Sequence, residues 1–103
     1  MNIEIKEAAR EQLNQIKFKK NQGIRIAMEQ ENTCTLHFDY QLIVDDQKEG
    51  DMMIYSSNIP FIISENTQKL LPNTLYLNYD KDNDYKLYSD EEILKSLIQL
   101  KTN

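Results

Sequence analysis

The stretch from Gly23 to Asp46 constrains this chain most, because it holds two runs in which apolar and polar residues alternate. Ile24, Ile26 and Met28 share one parity, with Arg25, Ala27 and Glu29 on the other. Leu36, Phe38, Tyr40, Leu42 and Val44 repeat the pattern against His37, Asp39 and Gln41. A two-residue period belongs to a half-buried strand, since successive side chains leave opposite faces of a sheet. Gln30-Glu31-Asn32-Thr33 is a polar break between the runs, which puts Cys34, the single cysteine, at a strand mouth.

The flanks add short elements. Ile3 and Ile5 predict an opening strand, and Ala9, Leu13 and Ile16 predict a helix from Lys6 to Lys19. Asn21-Gln22-Gly23 stops it, with Gly23 suited to a positive φ. After the acidic loop Asp45 to Asp51, the runs Met52 to Tyr55 and Ile59 to Ile63 predict a hairpin through Ser56-Ser57-Asn58. Pro60 lacks a backbone donor, so its strand is expected at an edge or with that position facing outward. Ser64 caps a short helix through Leu70 and Leu71 that Pro72 ends. Leu75, Leu77 and Tyr79 predict a strand, Asp80 to Asp84 a turn, and Tyr85 to Tyr88 another strand. Ser89 and Glu92 have capping-box spacing, which predicts a C-terminal helix to Lys101 with Ile93, Leu94, Leu97 and Ile98 on its apolar face. The expected core is Ile24, Ile26, Leu36, Phe38, Leu42, Ile62, Leu70 and Leu77.

At 103 residues the chain is read as one domain, 1–103. A net charge of -5 argues against nucleic acid, whose phosphates need a clustered basic surface. The N-terminus, Met1-Asn2-Ile3-Glu4-Ile5-Lys6-Glu7, carries charges where a signal peptide needs an apolar stretch. No run approaches the roughly 18 apolar residues of a membrane span, so the expectation is a cytoplasmic protein without a membrane partner. One cysteine forms no internal disulfide and completes no four-thiolate metal site, so metal chemistry must recruit other ligands.

The order strand, helix, four strands, short helix, two strands, helix resembles the A-type carrier (IscA/HesB-like) family of iron-sulfur cluster biogenesis. The resemblance is carried by Ile3-Glu4-Ile5-Lys6-Glu7-Ala8-Ala9, Gly23-Ile24-Arg25-Ile26-Ala27 and then Cys34. It continues through Phe38-Asp39-Tyr40-Gln41-Leu42, Val44-Asp45-Asp46, Asp51-Met52-Met53-Ile54 and Ile59-Pro60-Phe61-Ile62-Ile63-Ser64, covering roughly residues 1 to 80. It implies an α+β fold, a HesB-like half-barrel of mostly mixed or antiparallel strands with an N-terminal helix, a short middle helix and a C-terminal helix. It also implies Cys34 as the cofactor-binding and metal position. Cluster-carrying members follow that cysteine with Ser-Gly and end in a Cys-Gly-Cys pair, whereas here Cys34-Thr35-Leu36 stands and the C-terminal segment has no cysteine. The resemblance is thus to a divergent branch.

Other candidate sites compare poorly with blander readings. Cys34 and His37 have a Cys-x-x-His spacing, but residues three apart on a strand point to opposite faces. Asp80, Asp82, Asp84 and Glu91 match calcium-loop positions, yet Tyr85 replaces the required glycine and the preceding segment alternates like a strand. Asp45, Asp46, Glu49 and Asp51 could serve acid-base chemistry only if buried. No serine or acid is spaced to pair with the sole histidine, and the expectation is not an enzyme.

Two readings follow. One is an iron-sulfur biogenesis accessory, a degenerate carrier that binds iron or a cluster weakly or only with a partner, holding no cofactor when isolated and pooling ligands with assembly proteins or across a homodimer. The alternative is a metal-free protein-interaction module that keeps the fold, with calcium binding at Asp80 to Glu91 a minor alternative.

Overall fold

The two alternating runs form β2 (Gln22–Gln30) and β3 (Phe38–Asp46), antiparallel, with Ile24 opposite Val44, Ile26 opposite Leu42 and Gln30 opposite Phe38. The computed structural model describes residues 1–30 and 38–102, so Cys34, Leu36 and His37 lie outside the described residues. Ile24, Ile26, Leu42 and Val44 are buried, while Arg25 and Asp45 leave the opposite face.

Around this pair stand β1 (Asn2–Ile5), α1 (Glu7–Leu13), β4 (Met52–Ser56), β5 (Ile59–Ile63), α2 (Glu65–Leu70), β6 (Thr74–Asp80), β7 (Asp84–Tyr88), β8 (Ile93–Ile98) and β9 (Leu100–Thr102). The fold is mixed α+β. The strands hydrogen-bond as two sheets, in the orders β1-β6-β7-β8 and β4-β5-β2-β3-β9. The β1–β6, β2–β5 and β3–β9 pairs are parallel and the others antiparallel. Side chains tie the sheets at both margins: Ser56 Oγ on β4 donates to the Ile3 carbonyl of β1 at 2.6 Å, and Lys95 on β8 pairs with Asp39 on β3. One cluster between them includes Ile3, Leu13, Ile26, Phe61, Leu77 and Leu87. Among the described residues, no helix is long and apolar enough to cross a membrane.

Several elements correct the sequence reading. The first helix stops at Leu13 with Asn14 as its C-cap, and Ile16 and Phe18, which alternate with lysines, pack on the core from beyond the helix. Asn21, at φ 62°, takes the left-handed position expected of Gly23. Gly23 instead lies within β2, where a Cβ would stand 2.9 Å from the Pro60 carbonyl oxygen and 3.1 Å from Ile62 Cγ1. Gly23→Ala should therefore destabilise the fold by about 1 to 3 kcal/mol, the range for overpacking. Thermal denaturation beside the exposed-site control Lys19→Ala checks this.

Pro60 is buried in β5, an interior strand rather than an edge. Ser57 and Asn58, at φ 50° and 67°, form a two-residue turn of the primed type. Pro60 thus falls beside the closing pair, opposite Tyr55, at a position whose amide faces away from β4. Parallel pairing with β2 begins one residue later, at Phe61. The missing N–H costs no ladder bond to β4.

The middle helix follows its cap as expected, with Ser64 Oγ accepting from Thr67 N at 3.2 Å. Leu70 is 59% exposed, however, because Leu71 just past the helix turns into the core in its place. Phe38 is half-buried, whereas Ile62 and Leu77 are fully buried.

The C-terminal helix is absent: Ile93–Ile98 and Leu100–Thr102 are strands. Ser89 does accept the N–H groups of Glu91 and Glu92, at 3.3 and 3.2 Å, but its own N–H donates back to the Glu92 carbonyl. Those bonds close the β7–β8 turn instead of opening a helix. The β7–β8 register shifts between Tyr85 and Tyr88, and such irregularities break strict alternation. This explains how Ile93, Leu94, Leu97 and Ile98 imitate a helical stripe. Leu97, at φ 59°, and Gln99 carry the chain out of one sheet and into the other.

Candidate functional site

The chain segment holding Cys34 leaves from and returns to the paired end of β2 and β3, where Gln30 faces Phe38 and Glu29 faces Asp39. Cys34, the one sequence-derived site residue for cofactor and metal, lies outside the described residues, as does His37. What the structure does place is the base of this hairpin. Asp39 Oδ1 accepts from Lys95 Nζ at 2.5 Å, joining β3 to β8. The Lys95 ammonium, chiefly through that hydrogen bond, holds the Asp39 carboxyl below the usual carboxylate range. Burial first, and the charge of Glu92 second, push the neighbouring Tyr40 phenol up. These groups line a cavity of about 200 Å³ that also contains Lys101. The carboxylate is ion-paired and the phenol protonated; neither is poised for proton transfer near neutral pH.

The calcium alternative loses its geometry. Asp80 and Asp84 face each other across the β6–β7 turn, and the Asp80 carboxylate accepts from the Asp82 N–H at 2.9 Å and from Asn83 Nδ2 at 3.5 Å. Glu91 belongs to the turn at the other end of β7, roughly 13 Å along the strand at 3.3 Å per residue. Among the described residues, no three His, Cys, Asp or Glu side chains gather to hold a metal ion.

A buried ionic network is what the sequence reasoning missed. Arg25 Nε donates to Asp45 Oδ2 at 2.7 Å, and its Nη1 and Nη2 grip both oxygens of Asp51 at 3.1 and 2.5 Å. Arg25 is 13% exposed at its side chain, Asp45 6% and Asp51 5%. Of the loop acids, Asp45 and Asp51 are therefore buried at their side chains while Asp46 and Glu49 are exposed, yet the hydrogen bond from Arg25 leads in holding Asp51 below its usual range. A carboxylate kept ionised in this way is no general acid. The network instead ties loop 47–51 to the sheet, with Lys48 N also donating to Asp51 Oδ2. The available signal was parity: Arg25 and Asp45 both fall on the outward phase of their strands.

Comparison with known proteins follows this geometry. No curated protein matches the sequence. A protein from Lactobacillus salivarius, provisionally assigned to Fe-S biosynthesis and described as having a novel fold, superposes with a TM-score of 0.75 at 14% identity, covering 99% of this chain and 98% of that one. One from Lactobacillus acidophilus with the same provisional assignment gives 0.67 at 18% identity, over 99% and 90%. Escherichia coli SufA, involved in biosynthesis of iron-sulfur clusters, gives 0.67 at 12% identity, over 89% and 91%. At these identities the likeness is one of fold. Residues 1–102 match the family described as iron-sulphur cluster biosynthesis, and the chain belongs to that family.

Proposed function

We propose that this chain serves iron-sulphur cluster biogenesis as a divergent relative of the A-type carriers, binding iron or a cluster through Cys34 weakly or together with a partner's ligands. The family match across residues 1–102, in a chain whose single thiol is Cys34, carries the reading. An iron-sulfur cluster in the usual case takes four protein ligands. One thiolate must therefore be supplemented by a second copy in a homodimer, by an assembly protein, or by a small thiol such as glutathione. The role is capture and hand-over of a metal cargo, not catalysis of its own, and belongs to the cytoplasm, where thiols stay reduced. The stitching of the sheets at β1–β4 and β3–β8 supports a HesB-like half-barrel as the finer description of the fold.

A metal-free interaction module that keeps the fold is the second reading, favoured by Cys34 being the single cysteine of the sequence. Anaerobic reconstitution with iron and sulfide alone, followed by desalting, separates carriers of different competence. The isolated chain should retain substoichiometric iron and sulfide. Near-stoichiometric retention lost in Cys34→Ala would show a self-sufficient carrier and contradict the dependence on outside ligands.

A further inference from the structure

We infer that the groove between the end of α2 and the β7–β8 turn docks a basic segment of a partner protein, one that interleaves aliphatic side chains with lysine or arginine. The groove, of about 450 Å³, is lined by Leu70, Leu71 and Pro72 from the end of α2 and by Asp90, Glu91 and Glu92 from the β7–β8 turn. Leu70, at 59% exposure, is an apolar residue the local fold leaves uncovered, because Leu71 takes the core position beside it. Burying such a side chain against a partner removes apolar surface from water. No lysine or arginine lines the groove, so an occupant must supply the positive charge. Carboxylates repel the phosphates of anionic lipid and of nucleic acid, which leaves a cationic protein segment as the complement.

The acidic wall is held in shape before any partner arrives. Ser89 Oγ accepts from both Glu91 N and Glu92 N, and Asp90 Oδ1 accepts from the Tyr76 hydroxyl at 2.7 Å. A fixed rim lowers the ordering cost of association. Asp90 is thus engaged within the fold, while Glu91 and Glu92 are exposed beside the groove. The segment's aliphatic side chains would lie on Leu70 and Pro72, with its cationic groups toward Glu91 and Glu92.

The test is an NMR titration of the full isotope-labelled chain with a short synthetic peptide alternating leucine and lysine, beside one alternating leucine and glutamate. The basic peptide should shift the amides of Leu70, Leu71, Asn73 and Ser89 to Glu92. Leu70→Ser should weaken it about fivefold, and Glu91→Lys with Glu92→Lys about tenfold or more, the tenfold step being 1.4 kcal/mol. Unchanged spectra away from the groove verify folding, and Glu91→Gln supplies a milder charge change should the double variant not fold. Equal shifts at Asp80 to Asp84, indifference to Leu70→Ser, or equal binding of the acidic peptide would overturn the inference. So would peptide-free, concentration-dependent shifts of the groove residues, which would mark a second copy as the occupant. Binding should be identical in Cys34→Ala, so failure here leaves the metal-binding proposal standing, and the reverse.

Discussion

Phe61→Ala should cost about 3 to 5 kcal/mol, the range for removing a fully buried aromatic side chain. Phe61 is 0% exposed and sits on β5 between β4 and β2, opposite Ile54 on one side and Ile24 on the other. The cost has two parts, the lost transfer of the ring from water and the cavity that its tightly paired neighbours cannot close. For a domain near 100 residues, each kcal/mol moves the melting temperature by roughly 4 to 8 °C. Phe38→Ala, at a half-buried position, should have a clearly smaller effect. Urea denaturation of both variants beside wild type checks this order, and equal losses would mean that β5 is not the centre of the core.

Arg25→Ala should be comparably damaging, at about 3 to 5 kcal/mol, because it removes the guanidinium that holds two buried carboxylates and leaves the exposed Lys48, 3.7 Å from Asp45, in its place. Asp45 and Asp51 are 6% and 5% exposed at their side chains, and both are gripped by the one guanidinium. The pH dependence follows from Asp51, whose folded pKa lies below its ordinary value mainly through the hydrogen bond from Arg25. A lowered folded pKa contributes stability that is present above the unfolded value, about 3.9, and is lost as pH falls through the folded value. Wild type should therefore lose this contribution below about pH 4. Arg25→Ala should lose less in that window, keeping only the smaller lowering of Asp51 that comes from the Lys48 N–H and charge. Denaturation series from neutral to acid pH compare the two slopes. An unchanged acid-side slope in Arg25→Ala would show that the network does not store stability.

The strand pair at the centre was legible because alternation survives wherever one face takes apolar side chains and the other mostly polar ones. Ile24, Ile26, Leu42 and Val44 kept the phase their neighbours implied. The Ser64 cap was legible because its hydroxyl acts within its own turn. What failed depended on distant partners. Pro60 reads as an edge residue until the two-residue turn before it and the parallel strand beside it are known. Ser89 with Glu92 serves equally well to start a helix or to close a hairpin, and only the pairing of β8 with β7 decides between them. Leu70 and Leu71 are indistinguishable by composition, and the geometry at the end of α2 chooses which one enters the core. For the functional site, the resemblance in the order of strands led to the family, while Arg25 joining Asp45 and Asp51 across 20 and 26 residues of sequence left only a parity clue.

The central claim is that Cys34 is the residue through which this chain meets iron, with ligands supplied from outside. Anaerobic reconstitution with iron, sulfide and excess glutathione, on wild type and Cys34→Ala in parallel, tests it most directly by visible absorbance and metal analysis. Wild type should develop cluster absorbance that depends on the added thiol and is absent in Cys34→Ala. Equal absorbance in the two proteins, or none in either while the fold and free thiol of the wild type stay intact, would contradict it.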